Sequence, residues 1–306
     1  MGVVDWVRRS AANVRTDGAD GLRDAIDELY GGLWRTLGWH VPRGTNIYEF
    51  EWDALIILDA CRVDLMGEVA PEYGFIGEVE SMTSVGSMSQ EWMAKTFTNR
   101  YINSINDTAY VTANVFSGSV LDRSQFLGLD EVWRYAWDDD LGIVPPRPVT
   151  DRAISVGRES DADRLIVHYM QPHHPFIADT APESFDSDPF GRGEGETVVD
   201  ALRRGKISKE AFWEAYRANL RTALDDISLL LSSIDAETVV LTADHGDALG
   251  EWGIYDHPAG CLHPSVSRVP WIETTAEDIG EYQPTVEREA GVDEEVTGRL
   301  RSLGYV

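Results

Sequence analysis

A carboxylate and an imidazole stand side by side in the run LTADHGDALGE, at Asp244 and His245, directly after the apolar stretch VVLTA. Carboxylate oxygen and imidazole nitrogen at the end of a buried strand are donors that a divalent cation takes. Alone, the pair reads as a capping Asp and a solvated His at a turn; two further segments turn the balance toward a metal. In DALIILDACRVD an apolar run with β-branched Ile56 and Ile57 and no helical period predicts a central strand buried on both faces, with Asp59 at its carboxyl end. An ionised carboxylate buried without a partner is costly, so Asp59 must face a cation, a basic side chain such as Arg62, or a cleft. The ligand crevice of an open α/β sheet lies outside the carboxyl ends of its strands. Two strands that each deliver an acid to that edge describe a metal site assembled from distant sequence.

The third segment, SVGSMSQEWMAKTF, carries hydroxyls. Gly86 and the serines interrupt the chain before a helix-compatible run with Trp92, Met93 and Phe97, and Ser87 with Gln90 three residues on fits a capping box. A hydroxyl at a helix start lies where backbone N–H groups and the helix dipole favour anions. In an ordinary helix it is a plain N-cap; beside a cation that lowers its pKa it becomes a nucleophile.

These side chains need a sheet to hold them. Apolar runs at 53–59, 75–79, 109–116, 164–170, 238–243 and 269–273 predict strands, and helical patterns fall at 90–97, 151–159, 209–234 and 293–303. Their alternation predicts an α/β fold of three αβα layers, with a largely parallel central sheet covered by helices on both faces. In 209–234, Phe212, Tyr216, Leu220, Leu224, Ile227 and Leu231 form one stripe, the pattern of core packing. Residues 177–208 are rich in Asp, Glu, Gly and Pro with little periodicity, which predicts a lid insertion beside the site; its Arg192, Arg203, Arg204 and Lys206 are cations for an anionic substrate or simply a solvated face. Leu22, Ile26, Leu29, Leu33, Trp34 and Leu37 recur at helical spacing. They predict an N-terminal helical extension over 1–47, packed on its own domain or docked on a membrane surface, ahead of a catalytic domain over 48–306.

The order Asp59-x-x-Arg62-x-Asp64, a Ser-bearing helix start, His173-x-Pro175-Phe176, Asp244-His245-Gly246-Asp247-x-x-Gly250-Glu251 and Arg268-Val269-Pro270 resembles the alkaline phosphatase and sulfatase superfamily. It looks most like the sulfatase-like branch that includes lipoteichoic acid synthases and phosphonate or phosphodiester hydrolases. The resemblance implies an alkaline phosphatase-like fold and an enzyme, a metal-dependent hydrolase or transferase acting on a phosphate ester. By motif, Asp59 corresponds to the first-strand metal ligand and Asp244 with His245 to the later ligand pair. Ser89 stands at the nucleophile position, where it also touches the metal, with Ser87 as its rival. His173 corresponds to the histidine that contacts the transferred group or the leaving oxygen. His257 and His263, in YDHPAGCLHPSVSRVP, fall where relatives place a further metal- or substrate-binding side chain, and Arg62 joins the catalytic set.

Departures from the pattern narrow the chemistry. No C-x-P-S-R motif surrounds Ser87 or Ser89, and Cys61, after the first strand, is in the wrong place for a formylglycine, so phosphoester chemistry gains over sulfate. A single Asp59 in place of the Asp-Asp pair of many sulfatases supports one cation (Mn²⁺, Zn²⁺ or Mg²⁺) better than two. The expected partner is an anionic ester, of a glycan- or lipid-linked kind. Two other readings compete: a sulfuric ester hydrolase, and a sulfatase-like protein that binds a glycan or a partner without turnover.

The chain of 306 residues can bury one large α/β core. Its 53 acidic against 26 basic residues give a net charge of −27, which argues against a nucleic-acid partner, since phosphate backbones need clustered Lys and Arg. The same excess suits a protein hydrated in concentrated salt, and predicts a halophilic, haloarchaeal origin. The 2 cysteines, Cys61 and Cys261, make no disulfide scaffold. No apolar run is long enough for a transmembrane helix, and the start MGVVDWVRRSAANV lacks the apolar core of a signal peptide. The expected location is cytoplasmic, peripheral to a membrane if the N-terminal stripe docks there.

Overall fold

The computed structural model describes residues 43–178 and 197–286, with the isolated positions 15, 18 and 38. The N-terminal stripe, most of 177–208 and the helix expected over 293–303 lie outside the described residues. Strands β1 (Ala54–Leu58), β2 (Glu80–Thr83), β3 (Thr108–Thr112), β4 (Gly128–Glu131), β5 (Arg164–Tyr169), β6 (Ala236–Thr242) and β9 (Arg268–Ala276) form a seven-stranded sheet in the order β2-β9-β6-β1-β5-β3-β4. From β6 through β1, β5 and β3 to β4 the pairing is parallel, while β9 runs antiparallel to both β6 and β2. A small hairpin of β7 (Ala248–Leu249) and β8 (Tyr255–Asp256) stands apart.

The central strands are continuous apolar runs because both sheet faces are covered. Strand parity assigns the faces. Ile56, Leu58, Val111, Val167 and Leu241 point to one side, against the helices Val63–Val69, Pro146–Glu159 and Lys209–Leu231. Leu55, Ile57, Tyr110, Ile166 and Val240 point to the other, against Trp92 and Met93 of the helix Ser89–Thr96 and against Tyr48 and Phe126. The result is the expected three-layer αβα arrangement with a mostly parallel sheet. The helix Lys209–Leu231 buries Phe212, Tyr216, Leu220, Leu224 and Ile227, and Ser208 caps it by accepting from the Ala211 N–H.

Local expectations needed correction in several places. Residues 75–79 form no strand; Gly74 and Gly77 break the run, Phe75, Ile76 and Val79 pack on the core from a loop, and β2 follows one residue later. The capping box of Ser87 and Gln90 does not form. The helix Ser89–Thr96 starts after Met88 without a side-chain cap, because the Ser87 N–H and hydroxyl both donate to the Glu91 carboxylate. In the described end of the 177–208 segment, Val198–Arg203 is a helix capped by Thr197 and buried at Val198, Val199 and Leu202, so this stretch packs as an element. Among the described residues no helix is long and apolar enough to cross a membrane.

Candidate metal centre and active site

The parallel strands β1, β5, β6 and β3 end at one edge, and there they release Asp59, the 171–176 loop, Asp244 with His245, and Asn114. Ser89 reaches the same point from the first turn of its helix. Its Oγ donates to Asp59 Oδ2 at 3.2 Å and lies 3.4 Å from His245 Nε2. His245 Nε2 is in turn 3.6 Å from Asp59 Oδ1 and 3.4 Å from Asp244 Oδ2. Four donors each about 2.0–2.1 Å from a tetrahedral cation stand about 3.3–3.4 Å from one another, so these spacings fit one ion.

Local hydrogen bonds aim the donors. Asp244 Oδ1 accepts from the backbone N–H of Ala60 and of His245, which leaves Oδ2, fully buried, without a partner among the described residues. His245 Nδ1 lies 2.9 Å from the Gly246 carbonyl, a contact that requires Nδ1–H and turns the Nε2 lone pair inward. Asn114 Nδ2 donates to Asp59 Oδ2 at 2.8 Å. Burial, and after it the neighbouring Asp244, push the Asp59 carboxyl well above its usual range, while burial holds the His245 imidazole well below its own. Two buried acids and a neutral imidazole facing one another is an arrangement that a divalent cation stabilises.

A second group of possible metal donors, His173, Asp256 and His257, borders the first. The His257 ring lies 4.4 Å from that of His245 and 5.1 Å from that of His173. Burial disfavours a charged His257, yet Asp256, 2.6 Å from its Nδ1, and Asp247 outweigh this and raise its pKa well above the ordinary value. Burial, then the charge of His257, lowers that of His173. Asn219, a buried amide in the apolar stripe of the long helix, fixes the His173 loop: its Nδ2 donates to the carbonyls of Pro172 and His173, and its Oδ1 accepts from Ile177 N–H. Between the two groups opens a cavity of about 140 Å³ lined by Asp59, Ser89, Asn114, His173, His174 and His257, with Met88, Val115, Phe116 and Met170 as an apolar wall. No Lys or Arg is among the described residues that line it. A larger cavity of about 630 Å³ sits at the opposite, amino-terminal edge of the strands, and Asp53, Asp163, Asp235, Glu237 and Glu277 are among the residues that line it.

Of the residues expected at the site, Asp59, Ser89, His173, Asp244, His245 and His257 come together, and three do not. Arg62 is held by a bidentate pairing with Asp64 and by Glu251, stacked near Trp213, because its planar fork matches a carboxylate that its own loop supplies. The Ser87 hydroxyl is taken up by Glu91. His263 caps a short helix by accepting from Ser265 N–H and packs edge-on against Trp252. Asn114, His168, Asp247 and Asp256 were not foreseen. Asn114 follows the carboxyl end of β3 as Asp59 follows β1, and the same rule applied to β3 finds it. His168 inside RLIVHYM reads as a core histidine.

No family model matches the chain, and no curated protein does. Among solved structures it is similar to the integral membrane protein lipooligosaccharide phosphoethanolamine transferase A (EptA) from Neisseria meningitidis, with a TM-score of 0.51 at 12% identity over 89% of this chain and 59% of that one. The soluble domain of the same transferase aligns over 73% of this chain and 76% of its own with a TM-score of 0.49 at 13% identity. The lipoteichoic acid synthase LtaP from Listeria monocytogenes aligns over 76% and 66%, with a TM-score of 0.45 at 13% identity. The chain thus has a mixed α/β fold with a mostly parallel central sheet similar to that of the membrane transferase, and spans 59% of that protein's length. At such identity the likeness carries the fold, and the chemistry rests on the site.

Proposed function

We propose that the chain is a metal-dependent enzyme that transfers or hydrolyses a phosphate ester through Ser89. The observation that carries this reading is the Ser89 hydroxyl, which touches Asp59 and His245 inside the donor set and lines the cavity. A divalent cation held by Asp59, Asp244, His245 and Ser89 supplies Lewis acidity that lowers the pKa of the hydroxyl and offsets charge on the transferred group. The donor spacing and the imidazole favour Zn²⁺, with Mn²⁺ and Mg²⁺ as alternatives and the His173, Asp256, His257 group as a candidate second position.

Ser89 Oγ directs its proton at Asp59 Oδ2, forms the bond to phosphorus, and the ester oxygen departs on the opposite side. With no ion at that second position, His257, whose Nδ1 lies 2.6 Å from Asp256, is the side chain that gives a proton to that oxygen, with His173 beside it orienting the leaving group. Water, or a second alcohol, then takes the phosphoryl group from the serine. The apolar wall of Met88, Val115, Phe116 and Met170 suits an apolar substituent, as a phosphodiester would carry. A serine without the C-x-P-S-R context sets phosphorus ahead of sulfur. A lipid- or glycan-linked ester is the substrate class we propose, in keeping with the lipooligosaccharide named for the similar transferase. The charge of −27 we read as adaptation to concentrated salt.

The test is turnover of bis(p-nitrophenyl) phosphate, p-nitrophenyl phosphate and p-nitrophenyl sulfate by the chain loaded with Zn²⁺ or Mn²⁺, with mass spectrometry of the peptide that carries Ser89. The expected result is fastest turnover of the diester and a phosphoryl adduct on that peptide. Sulfate turnover alone assigns a sulfuric ester hydrolase. A chain that binds the metal and turns over none of the three is a binding protein.

A further inference from the structure

We infer that His168 is a positioning residue of the metal centre, whose Nε2–H is aimed at the carboxylates of Asp59 and Asp244 and is fixed in that tautomer by the Tyr110 hydroxyl. The inference rests on the metal-site reading above. His168 stands on β5 in register with Ile57 of β1 and Thr112 of β3, and shares the parity of Ile166, so it points to the sheet face covered by the helix Ser89–Thr96. It is 0% exposed, with its ring edge-on to Trp92 of that helix and stacked on Tyr110.

A lone histidine in an apolar strand is ordinarily a core side chain with both nitrogens satisfied. This one is satisfied on one side only. Nδ1 lies 2.8 Å from the Tyr110 hydroxyl, while Nε2 has no hydrogen-bond partner among the described residues. Nε2 lies 3.8 Å from Asp244 Oδ2 and 4.0 Å from Asp59 Oδ2. Asp244 Oδ2 is itself without a partner. Two unpartnered buried atoms that face each other across the carboxylate pair mark an element of the site.

Geometry separates the two roles open to such a nitrogen. Ser89 lies 3.2 Å from Asp59 and 3.4 Å from His245, and His245 lies 3.4 Å from Asp244 and 3.6 Å from Asp59, so four donors are already gathered, and His168 Nε2 stands further from the carboxylates than Ser89 and His245 do. It therefore lies behind the ligands. A lone pair turned toward two carboxylates is repelled, whereas an N–H is attracted, so the Tyr110 O–H donates to Nδ1 and the proton sits on Nε2. That N–H relieves the repulsion between the two acids and orients them, the task that outer partners of metal ligands perform.

Titration of Zn²⁺ into the full chain and its variants tests this. His168→Leu should weaken Zn²⁺ binding about 10–100-fold, the range for loss of an outer partner. His168→Gln, which returns an amide N–H near the position of Nε2–H, should recover most of it, and Tyr110→Phe should weaken binding in the same direction by less. Melting in the presence of a chelator shows whether each variant is folded. Long-range ¹H–¹⁵N spectra of the imidazoles should place the His168 proton on Nε2 both with and without Zn²⁺. A proton on Nδ1, or a His168→Leu chain that binds Zn²⁺ as tightly as the parent, overturns the inference while the site stands. A parent chain that takes up no Zn²⁺ overturns the site and this role with it.

Discussion

Ser87 and Ser89 lie two residues apart and do opposite work. Ser89 occupies the first turn of its helix without capping it, so Ser89→Ala should leave the melting temperature nearly unchanged, within about 0.5 kcal/mol, and abolish turnover. Ser87 is buried, donates to Glu91 Oε2 at 2.7 Å and accepts from the Cys261 N–H. Its loss leaves buried partners unsatisfied, so Ser87→Ala should cost about 1–3 kcal/mol and keep turnover in the surviving fold. Paired melting and rate measurements check both; a dead but stable Ser87→Ala chain would transfer the nucleophile's role to that residue. Removing the cation should be as informative. Because it binds only the folded site, free metal at about 100 times its Kd should stabilise the chain by about 2.7 kcal/mol. Asp244→Asn should abolish that gain in a melting curve taken with and without chelator. Asp59, Asp244 and His245 were legible in the sequence because each ends an apolar run. Arg62 and His263 stand apart from that donor set because a nearer partner claims each: Asp64 for one, the Ser265 N–H for the other.

Between elements, the junction that sets the geometry is the buried Glu91. Its carboxylate accepts from Arg43, Lys95, both donors of Ser87 and the Gly260 N–H, and so pins the helix that bears Ser89 to the loop between His257 and His263. Burial opposes its charge, but Lys95, Ser87 and Arg43 outweigh that and hold its pKa below the ordinary 4.5. A carboxylate lowered on folding contributes stability that is complete above the unfolded pKa and lost as pH falls through the folded one. Melting temperature should therefore drop between about pH 4.5 and the lower folded value. Glu91→Gln should start lower at neutral pH and show a flatter acid limb, and parallel curves for the two chains would refute the assignment. The contacts to Ser87 and Lys95 lie four residues to either side, but those to Arg43 and Gly260 cross long stretches of chain and are not readable locally. By contrast β1 stands out as an uninterrupted apolar run and β5 and β6 each carry an apolar core, LIV and VVL, whereas β2, half-exposed at the sheet's edge, carries no such run.

The alternation of strand and helix patterns along the whole chain was enough to foresee the αβα layers, but not the antiparallel β9 beside β6 and β2, because pairing order is decided by contacts far apart in sequence. Charge is likewise a property of the entire molecule. With −27 in formal charge the folded state concentrates carboxylates that the unfolded chain spreads apart. At the amino-terminal edge of the sheet, Asp53, Asp163, Asp235, Glu237 and Glu277 line one cavity. The Debye length is about 30 Å at 0.01 M salt and about 3 Å at 1 M, so low salt leaves this repulsion in force across the molecule and molar salt confines it to neighbours. The melting temperature should thus rise steeply as KCl is increased from about 0.05 M to about 3 M in the absence of divalent metal. Replacing Asp163 by Asn together with Glu237 by Gln should raise stability most at low salt and reduce the slope. A flat profile in the parent chain would refute the reading of the acidity as salt adaptation. An unchanged slope in the double variant would place the repulsion elsewhere on the surface.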